Sequence, residues 1–319
     1  MNNINNSNKS SRAVACITGA SSGIGREMAK LLSKKGYDLI LVSRNTKEML
    51  LLSQQLSTRC EIITCDLSDE NACIKLGRTL AKKDIYIFIN NAGFGDLGSF
   101  DKTSLNKELS MINVNIKATH ILTKYMVKTF KKRNRGYIMN VASSAGLLPG
   151  GPYMSTYYAT KSYVTSLTSA INEELREAKS RVHICMLCPG PVNTNFNNVA
   201  NVTFALPGIS ATYCASYALR QMFRGKVTIV PTLMMKLGTT VAKCVPRQMV
   251  TAITARQQKK KIMYCTGNEE ICLTPKYILP LWRDLRIICS VMPSMNSSET
   301  AKLTNILCHL YHLTRQKNF

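Results

Sequence analysis

The sequence lacks long apolar runs. None of its uninterrupted apolar stretches approaches the roughly 20 residues that a helix needs to cross a bilayer. The first dozen residues are rich in Asn and Ser and lack the apolar core of a secretory signal, so we expect residues 1–12 to be a disordered leader. Both absences predict a soluble, cytoplasmic protein with no membrane span.

Paired cysteine motifs are also missing. The 12 cysteines lie scattered through apolar runs, and no CxxC motif is followed by a second one. Cys185 and Cys188 form a single CxxC inside a predicted strand, where alternation directs their side chains to opposite faces. We therefore expect buried, reduced thiols, with neither a disulfide framework nor a metal site.

Acidic residues are scarce. The chain has 18 of them against 42 lysines and arginines, which gives a formal net charge of +24. Such a charge attracts nucleic acid, anionic lipid or phosphorylated ligands. The basic residues are spread along the chain, with short clusters at 131–135 and 259–261 and no interleaved aromatic motif. This pattern favours a solvated basic surface, and we expect no nucleic-acid partner.

Short β-branched runs alternate with segments of helical periodicity from residue 13 onward. With 319 residues and 45% hydrophobic content, the chain can form one large α/β domain. The alternation predicts a doubly wound, seven-stranded, mostly parallel sheet with helices on both faces. We place its strands at residues 13–18, 39–42, 61–64, 85–89, 137–141, 182–187 and 227–230.

A glycine-rich loop joins the first predicted strand to a helix at residues 23–33. Glycines at positions 19, 23 and 25 allow a tight turn and a close approach to a pyrophosphate, and the helix N-terminus offers free N–H donors. The strand-turn-helix position predicts a dinucleotide site formed by Gly19, Ser21, Ser22, Gly23, Ile24 and Gly25.

The end of the second strand distinguishes NAD from NADP. An acid there takes the ribose hydroxyls of NAD, whereas an arginine accommodates the 2′-phosphate of NADP. The sequence has Arg44 at this point and its nearest acid, Asp38, lies at the wrong end of the strand. We therefore predict NADP, with a merely solvated arginine as the alternative.

Two further strand ends carry candidate cofactor contacts. Asp66 follows the third strand, where it either accepts a hydrogen bond from the adenine amino group or forms a turn. Small residues follow the fourth strand, at Asn91, Ala92 and Gly93, and let the backbone pass close to a ribose.

Tyr157 and Lys161 lie four residues apart at the start of a predicted helix, so they project from one face. A free tyrosine has a pKa of about 10, and a nearby ammonium favours the phenolate. We expect Lys161 to lower the pKa of Tyr157 toward the working range of an acid/base. Upstream, two adjacent serines, Ser143 and Ser144, follow the fifth strand, and one of them can polarise a substrate oxygen.

Together these motifs resemble the short-chain dehydrogenase/reductase family. The TGxxxGxG loop, the NNAG run at 90–93, the serine after strand five, the YxxxK pair and a PGPVNT segment at 189–194 occur in the family's order over residues 13–261. The resemblance implies a Rossmann-like catalytic domain that moves hydride between a nicotinamide cofactor and a carbonyl or alcohol carbon, and a homodimer or homotetramer.

The resemblance also implies individual roles. Asn115 matches the family's catalytic asparagine, and Pro189, Gly190, Val192 and Thr194 match the segment that contacts the nicotinamide carboxamide. The family's usual spacing of thirteen residues before the tyrosine selects Ser144, whereas the motif context selects Ser143. We predict Ser143.

The sequence says less about the substrate and about the segments outside the motifs. Residues 195–245 match the family's variable substrate lid, and their apolar side chains (Phe196, Phe204, Leu206, Met222, Met234, Met235 and Leu237) favour a hydrophobic steroid-like, acyl or aliphatic substrate. We interpret 262–319, with a possible helix at 299–313, as an extension of unknown role. A catalytically idle nucleotide-binding sensor or basic interaction protein is the alternative to an enzyme.

Overall fold

The structure of the chain is a computed structural model that describes residues 12–196, 200 and 208–265. The chain divides into two units, Met1–Asn268 and Glu269–Phe319, and all described residues belong to the first. The predicted leader and the possible helix at 299–313 lie outside the described residues.

A seven-stranded parallel sheet forms the centre of this unit, as predicted. Its strands are β1 (Val14–Thr18), β2 (Asp38–Ser43), β3 (Cys60–Thr64), β4 (Ile85–Asn90), β5 (Gly136–Val141), β6 (Val182–Leu187) and β9 (Thr228–Ile229). They lie in the order β3-β2-β1-β4-β5-β6-β9, so the direction of winding reverses between β1 and β4. Two short strands, β7 (Val192–Asn193) and β8 (Ile209–Ser210), pair separately.

Helices cover both faces of the sheet. They are α1 (Gly23–Lys34), α2 (Thr46–Gln54), α3 (Glu70–Ala81), α4 (Leu105–Ile112), α5 (Thr119–Arg133), α6 (Ser155–Glu177), α7 (Ala211–Phe223), α8 (Leu233–Val241) and α9 (Arg247–Cys265). A π-helix, Asn113–Ala118, joins α4 to α5, and a 3-10 helix, Ser144–Leu147, follows β5. In the described part of the chain, no helix combines the length and apolarity needed to cross a bilayer.

The strands are apolar throughout because alternate residues fill two cores. Ile17, Leu41 and Ile87 pack against α1, α2 and α7 on one face. Cys16 and Phe88 pack against α3, α5 and α6 on the other. A parallel sheet covered by helices on both sides requires this pattern, which explains why the strands were predictable.

The predicted lid at 195–245 contains part of the core, which corrects its extent. Met222 is fully buried in α7 against the sheet, and β9 is a strand of the sheet itself. Met222 therefore stabilises the domain and does not line a lid. Of the other predicted lid residues, Phe204 and Leu206 lie outside the described residues, whereas Met234 is exposed on α8.

Candidate active site

Two buried asparagines hold the carboxyl ends of β4 and β5 together. Asn90 Nδ2 donates to Asn140 Oδ1 and to Thr123 Oγ1, both at 3.0 Å. Asn140 Nδ2 in turn donates to Thr168 Oγ1 at 2.9 Å. Because Thr123 belongs to α5 and Thr168 to α6, this network fixes the two helices at the edge of the sheet where ligands of such folds bind. No local sequence pattern predicts this network.

The glycine loop adopts a conformation that requires glycine. Gly19 and Gly23 have φ values of +63° and +55°. A Cβ added to Gly25 would lie 2.5 Å from both Gly19 O and Asn91 Nδ2. The Asn91 amide donates to Thr18 O at 3.0 Å and to Gly19 O at 3.1 Å. The predicted cofactor residue Asn91 therefore uses its side chain to hold the loop.

The N-terminus of α1 keeps its anion-binding capacity. Ser22 occupies the N-cap position without a side-chain capping bond, and the first turn of α1 contains no acid. Its backbone N–H groups thus have no competing side-chain acceptor there. The Ser21 hydroxyl lies 2.9 Å from the Ser43 hydroxyl, which links the loop to the end of β2.

Arg44 and Asp66 lie at the same edge. Arg44 is exposed, and among the described residues its side chain forms no hydrogen bond or ion pair. The Asp66 carboxylate accepts hydrogen bonds from the Ser68 backbone N–H at 2.9 Å and the Ser68 hydroxyl at 2.8 Å. The backbone bond from Ser68 is the main cause that lowers the pKa of Asp66, and Arg44 adds a smaller effect. Asp66 thus adopts the turn-forming role that we had kept open.

Helix α6 places Tyr157 and Lys161 side by side, as their spacing predicts. The Lys161 ammonium donates to Val141 O at 2.9 Å and lies 5.9 Å from the centroid of the Tyr157 ring. Lys161 is only 4% exposed, and a Cβ on Gly93 would lie 3.2 Å from its Nζ. The lysine therefore occupies a tight socket between the end of β5, the backbone at Gly93 and the tyrosine ring.

The pKa values differ from our expectation. Burial raises the pKa of Tyr157 to about 12, and a hydrogen bond with the Ser143 side chain opposes this rise. Burial also lowers the pKa of Lys161 to about 8. We expected the ammonium to lower the pKa of the tyrosine, but desolvation of the phenol is the largest effect and raises that pKa.

The Ser143 side chain lies next to the Tyr157 phenol. The Ser143 side chain is the hydrogen-bond partner of Tyr157, and its Oγ also accepts from the Ala145 N–H at 3.1 Å. Ser144 is equally buried, and its backbone N–H donates to Pro189 O at 2.9 Å. The neighbouring serine thus ties the end of β5 to the segment after β6.

Asn115 lies in the π-helix and is buried. Its Oδ1 accepts from the Phe94 N–H at 3.1 Å, and its Nδ2 donates to Phe94 O at 2.9 Å and to Thr160 Oγ1 at 3.0 Å. Its side chain therefore connects the loop after β4 with α6, next to Tyr157. Short π-helical turns occur often at functional sites.

The segment after β6 returns to the glycine loop. Thr194 lies 3.3 Å from the position of a Cβ on Gly23, whereas Gly190 packs under Met235 of α8. Val192 is buried in β7. The Phe196 ring packs against the Tyr157 ring, with 5.6 Å between centroids. The structure thus brings the predicted loop, tyrosine, lysine, serine and PGPVNT segment to one edge.

Comparisons with known proteins match this arrangement. The short chain dehydrogenase model matches residues 13–203. Over 175 residues the chain is 34% identical to a very-long-chain 3-oxoacyl-CoA reductase of Laccaria bicolor, which covers 52% of this chain and 51% of that protein. Over 183 residues it is 31% identical to an uncharacterized oxidoreductase of Staphylococcus epidermidis, covering 57% of this chain and 78% of that protein.

Solved structures share the fold. A short-chain dehydrogenase from Sphingobium yanoikuyae in complex with NADPH has a TM-score of 0.65 and 25% identity, covering 83% of this chain and 100% of that one. A Burkholderia phymatum short chain dehydrogenase/reductase in complex with NAD has a TM-score of 0.66 and 22% identity, covering 82% and 98%.

The family model covers more than half of the chain, so the chain belongs to the short-chain dehydrogenase family. Its first unit has the Rossmann-like fold of that family. The chain spans about half the length of the Laccaria reductase that it matches.

Proposed function

We propose that this chain is an NADP-dependent oxidoreductase that transfers hydride between the nicotinamide ring and the carbon of a carbonyl or secondary alcohol. One observation carries the proposal. The partly buried Tyr157 has the Ser143 hydroxyl as the partner of its phenol, and the Lys161 ammonium stands 5.9 Å from the centroid of its ring. An acid/base, a polarising hydroxyl and a cation in one place form the machinery that carbonyl reduction needs.

A dinucleotide fits the residues at this edge. The left-handed glycines and the uncapped N-terminus of α1 leave backbone N–H donors for a pyrophosphate. At the end of β2 no acid is present to take ribose hydroxyls, and Arg44 is exposed without an ion pair among the described residues. A guanidinium in that position suits a 2′-phosphate, which supports NADP.

The chain's own residues handle the proton. The bound cofactor supplies or accepts the hydride. Because its pKa is raised to about 12, Tyr157 is a protonated phenol at neutral pH and can donate its proton to a carbonyl oxygen. Lys161, with a pKa of about 8, is mostly charged at neutral pH and stabilises the phenolate that forms. In these protonation states the protein can donate the proton that reduction of a carbonyl requires.

The surroundings of Tyr157 support a hydrophobic substrate. Phe196, Leu97 and Leu148 pack with the tyrosine in one apolar cluster. An apolar cluster of this kind can pack against an apolar substrate chain next to the reacting carbon. A ketone on a hydrophobic chain, such as the 3-oxoacyl group in the name of the Laccaria relative, fits this cluster.

Adjacent tyrosines allow a matched test of the proposal. We expect Tyr157→Phe to lower kcat for the reduction of hydrophobic ketones by about 10²–10⁴-fold, the usual contribution of a general acid. Tyr158→Phe removes the same hydroxyl one position later, where it bonds to Gln258 at 2.8 Å, and should keep most of kcat. NADPH fluorescence with a panel of carbonyl compounds measures both.

The same assay tests the cofactor. Arg44→Ala should narrow the preference for NADPH over NADH, and Lys47→Ala, an exposed lysine of the neighbouring α2, should leave it unchanged. Persistent inactivity of the unmodified protein, with intact NADPH binding, would favour an idle sensor over an enzyme.

A further inference from the structure

The loops at the amino ends of the strands carry an unusual concentration of positive charge. Six loops lead from a helix into the next strand of the sheet, at residues 35–37, 55–59, 82–84, 134–135, 178–181 and 224–227. Each contains at least one lysine or arginine, and Asp84 is the one acid in these six loops. We call this surface the basic edge. It lies opposite the candidate active site.

Most cations of the basic edge are exposed and have no acidic partner. Asp84 pairs with Arg135 at 2.9 Å and with Arg133 at 3.3 Å. Lys35, Lys82 and Lys226 are exposed, and none of them forms an ion pair within the described part of the chain. The same holds for the two basic residues of the loop at 178–181. The positive charge is therefore left for an external partner.

The opposite edge has a different balance. The loops that lead from β2, β3 and β4 into the next helix contain four acids, Asp66, Asp69, Asp96 and Asp101, against the two basic residues Arg44 and Lys102. A general excess of basic residues would enrich both edges. The loops at the two edges of the sheet thus differ in charge, and the positive excess lies at the basic edge.

Stabilisation of helix ends explains only part of this pattern. Helices end at the basic edge, and a cation near a helix C-terminus interacts favourably with its dipole. That effect falls off within the last turn, whereas Arg59 and Arg181 stand four or more residues past the last helical residue and next to the strand that follows. Their positions favour binding of an external anion.

We propose that the basic edge docks on an anionic lipid membrane. Seven strands spaced by about 4.8 Å spread the loops over a width of roughly 30 Å, which suits a planar surface with distributed negative charge. Docked in this way, the protein lies on the membrane without a span, and the candidate active site faces away from the lipid.

Nucleic acid fits this surface less well. Binding of a single strand uses exposed aromatic faces beside the cations. The aromatic residues near the basic edge pack against one another edge to face: Tyr137 contacts Tyr86 at 5.6 Å, His183 at 5.7 Å and Phe223 at 5.4 Å. Their rings belong to the border of the core and offer no stacking platform.

Two charge-matched variants of the full chain test the proposal. The edge variant changes Lys35, Lys82, Lys179 and Lys226 to Glu, and the control variant changes Lys47, Lys102, Lys236 and Lys243, which are exposed elsewhere, to Glu. The net charge of the two variants therefore falls by the same amount. Flotation with vesicles of phosphatidylcholine, with and without phosphatidylserine, measures binding, and thermal unfolding checks that each variant is folded.

We expect the unmodified protein to float with the phosphatidylserine vesicles and to be released by salt, because screening shortens the range of the interaction. The edge variant should bind at least about tenfold more weakly, and the control variant should keep most of its binding. Equal losses in both variants would overturn the proposal. The proposal would also be overturned if the unmodified protein did not bind the vesicles but bound a polyuridylate RNA through the same lysines.

Discussion

In the proposed reaction, the serine beside Tyr157 holds the substrate oxygen. Ser143 has its side chain on the phenol, whereas Ser144 contributes a backbone bond to Pro189 O. Because we assign the Ser143 hydroxyl to the substrate oxygen, the two hydroxyls should differ in catalysis.

We therefore expect Ser143→Ala to lower kcat by about 10²–10³-fold, as the loss of one donor to a developing charge usually does. Ser144→Ala should change kcat less than about threefold, since an alanine there keeps the backbone N–H. Steady-state kinetics with one ketone compares the two. A larger loss from Ser144→Ala would reverse the assignment.

Lys161 should make stability depend on pH. Burial lowers its pKa to about 8 from an ordinary 10.5, so between these values the unfolded chain binds a proton that the folded chain does not. The contribution of Lys161 to stability then rises with pH in this window, and the cost of the buried charge is fully present below pH 8.

Urea unfolding should show this effect. Between pH 7 and 9.5, the free energy of unfolding should rise by about 2 kcal/mol more than in Lys161→Met. Lys124→Met, which removes an exposed lysine from α5, should behave like the unmodified protein. Measurements below pH 10 avoid the tyrosine, whose raised pKa acts in the opposite direction. Parallel curves for all three proteins would show that the lysine keeps an ordinary pKa.

At the scale of single residues, the sequence predicted which residues form the candidate site better than it predicted their pKa values. Tyr157, Lys161 and the glycines were predictable because a short motif brings them together. The raised pKa of Tyr157 was not, since burial depends on distant residues such as Phe196. The Asn90–Asn140 bond joins residues 50 positions apart, which no local pattern indicates.

Among the elements, the strand-turn-helix unit of β1 and α1 has little room for change. A Cβ on Gly25 would lie 2.5 Å from Gly19 O, a backbone atom that can move only with the loop. In contrast, a Cβ on Gly238 of α8 would meet no atom within 4 Å. The two glycines therefore allow the same substitution with opposite consequences.

Gly25→Ala should destabilise the protein by about 1–3 kcal/mol, as overpacking does, and should raise the Kd for NADPH by more than about tenfold. Gly238→Ala should leave binding unchanged and stabilise α8 by up to about 1 kcal/mol. Urea unfolding and fluorescence titration with NADPH measure these effects. Normal NADPH binding by Gly25→Ala would mean that the loop does not hold the pyrophosphate.

The boundaries of helices and strands were less predictable around the predicted lid than in the sheet. Strands buried on both faces are continuous apolar runs and stand out in the sequence. Apolar side chains after residue 195 serve both the core, as Met222 does, and the cover of the site, as Met235 does over Gly190. Composition cannot separate these uses, because a methionine packs equally well in either place.

The whole molecule carries far more positive than negative charge. With 42 basic and 18 acidic residues, most cations can have no partner of their own. Their mutual repulsion destabilises the compact state, whereas exposed ion pairs contribute little. Added salt screens the repulsion over distances beyond about 10 Å at 0.1 M and about 3 Å at 1 M.

We therefore expect sodium chloride to raise the Tm, by about 2–4 °C for each kcal/mol of repulsion that it removes. The edge variant has four lysines of the basic edge changed to Glu. Its Tm should rise less with salt, because its positive charges repel one another less at the start. Differential scanning calorimetry across a salt series measures both slopes. A Tm that falls with salt in the unmodified protein would show that its ion pairs outweigh the excess of positive charge.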